Sequence, residues 1–222
     1  EVTGDTRFDQ AWQRADSVDR KSGRLARLAS DRPTLVAGST WPSDEAPLLE
    51  ALARARGGGR IAGLRVFVAP HELSAAHLEP IQRWARQHRL TLARIDDHAA
   101  GTADVVLVDR YGVLAELYAL ADIAFVGGGF HDAGLHSVVE PAAFGVPVLF
   151  GPRHGRSRDA ALLLGAAAAR AVSNATELER IVVEWFEQPD ARREAGVQAG
   201  AVVARGRGAA ETSFQLVERL LL

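Results

Sequence analysis

The chain contains no cysteine and no methionine, and its 222 residues include a single lysine, Lys21. Without cysteine, it has no disulfide, no thiolate metal site and no cysteine nucleophile. A net charge of −2 and a pI of about 6.4 argue against a nucleic-acid-binding protein. There is no signal peptide, and no apolar run approaches the ~20 residues needed to span a membrane. We therefore expect a soluble piece of a longer protein, since the chain does not begin with methionine.

With 47% hydrophobic residues, the chain can bury a core of its own. Short apolar runs alternate with amphipathic stretches, which is the pattern of an α/β protein with a parallel sheet. Strands are predicted at 34–37, 64–69, 91–95, 104–108, 122–126, 146–150 and 168–172. Helices are predicted at 44–56, 75–88, 113–120, 136–144, 159–164, 176–187, 190–203 and 209–222. Ligands of such a sheet bind outside the carboxyl ends of its strands.

The stretch 122–152 carries the clearest functional pattern. An apolar strand runs into three glycines, 127–129, and a predicted helix leads to a second strand that ends at Gly151 and Pro152. Strand, glycine loop, helix and strand form the unit that places an anion at a helix N-terminus. Glu140 on that helix can then reach the sugar hydroxyls of the same ligand. The patterns GxGxxG and GxxxxGK[ST] are absent from this stretch, so we predict a nucleotide site of another kind.

The sequence of this stretch resembles that of the bacterial 3-deoxy-D-manno-octulosonic acid (Kdo) transferases. FVGG, GLHSVVEP and GVPVLFGP match that family's FVGG, GGHNPLEP and GxPVLFGP, with His136, Glu140 and Pro141 in common and residues 137–139 changed. TGDTRFD at 3–9, AGSTWPSDE at 37–45 and the segment 108–128 resemble its TGNxKFD, GSTxxGEE and xDxMGELxxLYxxADxAFVGG. The resemblance covers nearly the whole chain, but only the C-terminal half of such an enzyme.

The resemblance implies a Rossmann-like parallel sheet flanked by helices, the C-terminal half of the two-domain glycosyltransferase fold called GT-B. Residues 1–30 would form a connecting helical segment, 31–205 the donor-binding domain, and 206–222 a helix that crosses back to the other half or packs on its own domain. The enzyme would invert configuration without a metal as it transfers Kdo from CMP-Kdo to a lipid A precursor in lipopolysaccharide synthesis. Its catalytic base, acceptor site and membrane contact, on the cytoplasmic side of the inner membrane, would lie in the other half. No cofactor is implied, and this part alone would bind CMP without turnover.

Several residues could hold the donor, each with a simpler structural alternative. Ser137 is predicted to offer backbone N–H groups to a phosphate, or only to cap its helix. Glu140 would accept from the ribose hydroxyls, as the resemblance implies, or would be a solvated carboxylate. His136 and Arg153 would face the phosphate or the sugar acid, so that the leaving group would be stabilised by His136, Ser137 and Arg153. The resemblance implies that the base is held largely through the backbone at residues 111–113, while the Tyr111 ring would stack on cytosine or only pack.

The predicted donor site extends to the loops that follow the strands. Hydroxyls and amides at residues 38–40 would face the sugar or phosphate, or would only cap the next helix. The full set of predicted donor contacts is Gly38, Ser39, Thr40, Tyr111, Gly112, Val113, Gly128, Gly129, Gly134, His136, Ser137, Val138 and Glu140. No metal site is predicted, because the histidines lack metal-type spacing. At 70–72 the PRH of the family becomes PHE, so the arginine of that loop is absent here and an acid follows the histidine. A UDP-sugar transferase domain and a domain that has lost its chemistry remain alternatives.

Overall fold

A computed structural model describes residues 2–21 and 23–221. Its centre is a seven-stranded sheet in which every neighbouring pair of strands is parallel. The strands are β1 (Thr34–Thr40), β2 (Arg65–Pro70), β3 (Leu92–Arg94), β4 (Val105–Leu107), β5 (Ile123–Val126), β6 (Val148–Phe150) and β7 (Ala169–Ala171). All seven predicted strands are present, and the predicted Rossmann-like fold class is confirmed.

Helices cover both faces of the sheet. They are α1 (Thr6–Ser17), α2 (Gly23–Leu28), α3 (Pro42–Gly57), α4 (Ala75–Gln87), α5 (Leu114–Leu117), α6 (Val139–Ala143), α7 (Arg158–Gly165), α8 (Ala175–Glu187), α9 (Pro189–Arg205) and α10 (Ala209–Leu221). A 3₁₀ turn, Tyr118–Leu120, continues α5. None of the helices in the part of the chain that the structure describes has the length and hydropathy needed to cross a membrane.

The strand order is β3-β4-β2-β1-β5-β6-β7. The chain therefore builds one half of the sheet from β1 outward and then returns to β1 to build the other half from β5. In such sheets the direction of winding changes between the two central strands, and the loops there splay apart to leave a crevice at the carboxyl edge. Here that crevice lies between the loops that follow β1 and β5.

The strands are mostly apolar because both faces of the sheet are covered. Leu35 and Ala37 of β1 pack in a cluster with α3 and α8. Val36, which points to the opposite face, packs with Phe67 and with Leu117 of α5. These two layers hold the carboxyl edge of the sheet in a fixed position, so the loops that extend from it rest on a rigid base.

The first and last helices lie together beside the second half of the sheet. The α1 helix packs against α6, α9 and α10. The Asp9 carboxylate accepts hydrogen bonds from the backbone N–H groups of Gly208 (2.7 Å) and Ala210 (3.0 Å), which ties α1 to the start of α10. The α1 helix thereby forms a wall next to α6. The division of the chain at residues 30 and 205 stays a prediction.

Candidate functional site

Two neighbouring cavities open beside the carboxyl edge of β5 and β6. The larger, of about 750 Å³, lies between the loop after β5 and the loop after β6. The smaller, of about 230 Å³, lies between α1 and the start of α6 and includes Ser137 and Glu140. Arg7 of α1 lines both cavities. A ligand long enough to enter both would therefore pass this guanidinium.

The three glycines after β5 form a buried turn that only glycine fits. A Cβ on Gly127 would lie 2.2 Å from the carbonyl oxygen of Ser39, and one on Gly129 would lie 2.4 Å from the backbone nitrogen of Gly151. Gly128 has a φ of +89°, a conformation that costs other residues strain. The backbone of the turn thus packs against the end of β1 and the loop after β6. This close packing fixes where the loop after Gly129 begins.

Asp44 holds this turn in place, although the sequence did not single it out. Its side chain is fully buried in the first turn of α3. Its carboxylate accepts from the backbone N–H groups of Gly128 (2.7 Å), Phe130 (2.9 Å) and Trp41 (2.9 Å). One charged side chain therefore fixes the loop after β5 and the loop after β1 relative to each other.

The helix predicted at 136–144 is wrong at its start, because α6 spans only Val139–Ala143. The backbone N–H of His136 donates to the Gly127 carbonyl (3.1 Å) and keeps residues 134–137 in an irregular loop. Ser137 thus precedes the helix and does not lie in its first turn. Within the described part of the chain, the backbone N–H groups of Ser137 and Val138 have no hydrogen-bond partner. Ser137 is exposed, so its N–H is open to an acceptor, whereas Val138 is buried, and a five-residue helix adds little dipole to either group.

Glu140 points into the smaller cavity from α6. It is half-buried, and burial raises the pKa of its carboxyl group, while nearby Arg14 of α1 acts in the opposite direction. Gln10 and Arg14 line the same cavity. None of the described residues donates a hydrogen bond to this partly desolvated carboxylate, so it is suited to accept from ligand hydroxyl groups.

Four aromatic and imidazole rings meet at the crevice. Trp41 after β1 stacks on His131 with 4.4 Å between ring centroids, and His71 after β2 lies 4.6 Å from both Trp41 and His136. The Trp41 indole N–H donates to Nε2 of His136 at 3.2 Å. Burial, above all, and the neighbouring histidines lower the pKa of His136, against the effect of Asp44. The roles of Trp41 and His131 were not predicted.

The contacts predicted at residues 38–40 lie at the end of β1, which extends to Thr40, and most of them are turned inward. Gly38 is buried, and a Cβ there would lie 2.1 Å from the hydroxyl oxygen of Tyr118. The Thr40 hydroxyl is buried and donates to the Glu45 carboxylate at 2.8 Å, so it is not presented to a ligand. Burial raises the pKa of that carboxyl group. Only Ser39, half-buried with a φ of +53°, keeps a polar side chain near the crevice.

The loop after β4 lies at the rim of the same edge. Tyr111 is 71% exposed, and its hydroxyl approaches the carbonyl oxygen of His71 at 3.5 Å. Gly112 has a φ of +83°, and Val113 is buried in the core. Gly134, with a φ of +99°, begins the loop that leads to His136. The structure therefore leaves one exposed ring and one open backbone turn for contact with a ligand here.

Arginines surround the larger cavity. Arg153 forms an ion pair with Asp132, and Arg7 forms ion pairs with Asp5 and Asp159. Arg156 and Arg158 are exposed and line the cavity without an ion pair in the described part of the chain. Cations therefore outnumber the carboxylates in the wall, which favours an anion. Among the described residues, no three histidine, aspartate or glutamate side chains converge in a group that could hold a metal ion.

No protein-family model matches the chain. Among curated proteins it is 29% identical to the 3-deoxy-D-manno-octulosonic acid transferase of Bordetella pertussis, over 98% of this chain and 51% of that protein. It is also 29% identical to the transferase of that name from Chlamydophila psittaci, over 79% of this chain and 39% of that protein. The chain thus spans about half or less of the length of these relatives.

Solved structures share the fold. The C-terminal CMP-Kdo binding domain of WaaA from Acinetobacter baumannii matches with a TM-score of 0.69 and 23% identity, over 88% of this chain and 98% of that domain. Anabaena HepE in complex with UDP-glucose matches with a TM-score of 0.59 and 12% identity, over 97% of this chain and 52% of that protein. The chain corresponds in fold to one whole solved domain and to one half of a larger protein, as predicted for half of a GT-B fold.

Proposed function

Because the chain is related to the Kdo transferases, we propose that it is the part of such an enzyme that binds the donor sugar nucleotide, CMP-Kdo. The observation that carries this proposal is the combination at the start of α6. The backbone N–H of exposed Ser137, which has no partner among the described residues, lies next to a half-buried carboxylate, Glu140, at the carboxyl edge of the sheet. Phosphate oxygens accept hydrogen bonds, whereas ribose hydroxyls donate them, so this pair of features suits a nucleotide.

The donor would extend along the two cavities. The ribose would bind in the smaller cavity, where its 2′- and 3′-hydroxyls donate to Glu140. The phosphate would lie at Ser137 and Val138, with Arg7 nearby, and the cytosine would contact the backbone around Tyr111 and Gly112. The acidic sugar would then enter the larger cavity, whose arginine-rich wall offsets its negative charge.

In the reaction, an acceptor hydroxyl would attack the anomeric carbon while the bond to the CMP phosphate oxygen breaks, which inverts the configuration. Negative charge then develops on the leaving phosphate. The N–H groups at Ser137 and Val138, together with His136 and Arg153, would stabilise this charge without a metal ion. Donors that are already in position cost no reorganisation when the charge appears.

The rest of the activity belongs to the whole protein and is part of the same proposal. The relatives are about twice as long as the aligned region, so the catalytic base and the lipid A precursor would be provided by the other half. That half would also hold the enzyme at the cytoplasmic face of the inner membrane. We therefore expect this chain alone to bind CMP and not to transfer sugar.

A thermal-shift titration with CMP, UMP and UDP tests the proposal. A ligand at 100 times its Kd adds about 2.7 kcal/mol, which for a chain of this size raises the Tm by roughly 5–11 °C. We expect that shift with CMP and its loss in Glu140→Gln, while exposed Glu187→Gln serves as the matched control and keeps it. A shift with UDP alone would indicate a UDP-sugar transferase. If none of the three nucleotides raises the Tm, the proposal is wrong for this chain.

A further inference from the structure

The contact between Trp41 and His136 determines which nitrogen of the imidazole carries the proton. An indole N–H can donate a hydrogen bond but cannot accept one. Since it lies 3.2 Å from Nε2 of His136, that nitrogen must contribute a lone pair. The single proton of the neutral ring is then on Nδ1. A charged imidazolium would oppose an N–H to the indole N–H, and the hydrogen bond would be lost.

The packing of the ring leaves Nδ1 available. The Cδ2 edge of the His136 ring lies against Gly128, 3.2 Å from where a Cβ on that glycine would be. Nδ1 is on the other edge of the ring, and it has no hydrogen-bond partner in the described part of the chain. The backbone N–H of His136 is held by the Gly127 carbonyl. Backbone and ring are therefore both fixed, with one donor unused beside Ser137.

The groups that face His136 include two imidazoles and one carboxylate. His71 lies 4.6 Å away between ring centroids, and His131 is stacked on Trp41. Nδ1 of His131 accepts the backbone N–H of Ala133 at 3.0 Å, so this ring also contributes a lone pair at a defined nitrogen. Burial and the two imidazoles oppose a positive charge on His136, whereas Asp44 favours it, and the net effect lowers the pKa of His136.

We propose that Trp41 is a positioning residue that fixes His136 as the neutral Nδ1–H tautomer, so that His136 meets a bound phosphate as an uncharged hydrogen-bond donor. The identity of the phosphate as that of the donor nucleotide rests on the proposed function. The tautomer does not depend on it. The positive charge around the phosphate then comes from the arginines alone, and binding does not require a protonated histidine.

Nitrogen-15 NMR of the ligand-free protein tests the tautomer. Long-range proton–nitrogen spectra distinguish a protonated ring nitrogen from an unprotonated one, and His136→Gln identifies the signals. We expect protonated Nδ1 and unprotonated Nε2 in the wild type. Trp41→Phe, which keeps a ring but removes the donor, should move His136 toward the Nε2–H form. Trp84→Phe, next to His88, should leave His136 unchanged. A wild-type spectrum with protonated Nε2, or no change in Trp41→Phe, overturns the inference.

Binding of CMP tests the ligand half. Because the phosphate of CMP itself titrates near pH 6, each affinity is divided by that of His136→Gln at the same pH. For the wild type this ratio should change little between about pH 6 and 8, whereas Trp41→Phe should bind about 2–10 times more weakly than the wild type at pH 8 and recover as the pH falls. A wild-type ratio that rises as His136 protonates contradicts the uncharged donor. A wild type that does not bind CMP overturns the proposed function and this ligand half with it, while the spectrum still decides the tautomer.

Discussion

Replacing Asp44 with alanine should destabilise the protein far more than the loss of an ordinary surface charge. The substitution leaves three backbone N–H groups without their acceptor, one of them buried and two partly buried. An orphaned donor costs about 1–3 kcal/mol, with the lower values where water can reach it. The expected loss is therefore about 3–5 kcal/mol, or roughly 6–20 °C in Tm. Asp44→Asn keeps one acceptor oxygen and should lose about half as much.

Equilibrium unfolding in guanidinium chloride, followed by circular dichroism, measures this loss. Exposed Asp16→Ala is the matched control and should change the free energy of unfolding by no more than about 0.5 kcal/mol. If Asp44→Ala unfolds within 0.5 kcal/mol of the wild type, the three hydrogen bonds do not hold the turn, and our account of the crevice fails.

Three further predictions concern stability. Gly129→Ala should lower the free energy of unfolding by at least about 1–3 kcal/mol because its Cβ would overlap the backbone of Gly151. Gly155→Ala, whose Cβ would meet open space, is the control, and equal thermal melts of the two variants would contradict the prediction. Asp104, whose pKa is lowered by hydrogen bonds from one threonine and two arginines despite its burial, stabilises the fold above its unfolded pKa and not in acid. Asp104→Asn should therefore lose about 2–3 kcal/mol at pH 7 and flatten the acid limb of a stability–pH profile. Burial raises the pKa of Glu140, so the sign is opposite: Glu140→Gln should unfold at higher denaturant than the wild type at pH 7, and the difference should vanish below the ordinary pKa of 4.5.

The sequence predicted the sheet well because strands covered on both faces are continuous apolar runs. The runs at 64–69 and 122–126 could hardly be anything but buried strands, and both are. Helix ends were less predictable where tertiary contacts compete with the helix. The bond from His136 to the Gly127 carbonyl, and the contact of its ring with Trp41, keep that residue out of α6. Neither contact leaves a pattern in the local sequence.

The site was predicted in part, for a similar reason. Glu140 and Ser137 lie within one motif, and the structure places both on the same cavity. Asp44 and Trp41 act on residues more than 80 positions away, and no local pattern could show that. The run WPSD, with proline at the first helical position and an acid at the third, is typical of the first turn of a helix, which is where Asp44 lies. It does not predict which other loop that carboxylate holds.

The central claim is that Glu140 recognises the ribose of a cytidine nucleotide. Isothermal titration calorimetry with CMP and with 2′-deoxy-CMP, on the wild type and on Glu140→Gln, tests it directly. A hydrogen bond to a charged carboxylate contributes about 1.5–3 kcal/mol, so the wild type should prefer CMP by roughly 10–150-fold. The variant should bind both nucleotides weakly and without preference. A wild type that binds the two equally, or a preference that survives in Glu140→Gln, would contradict the account.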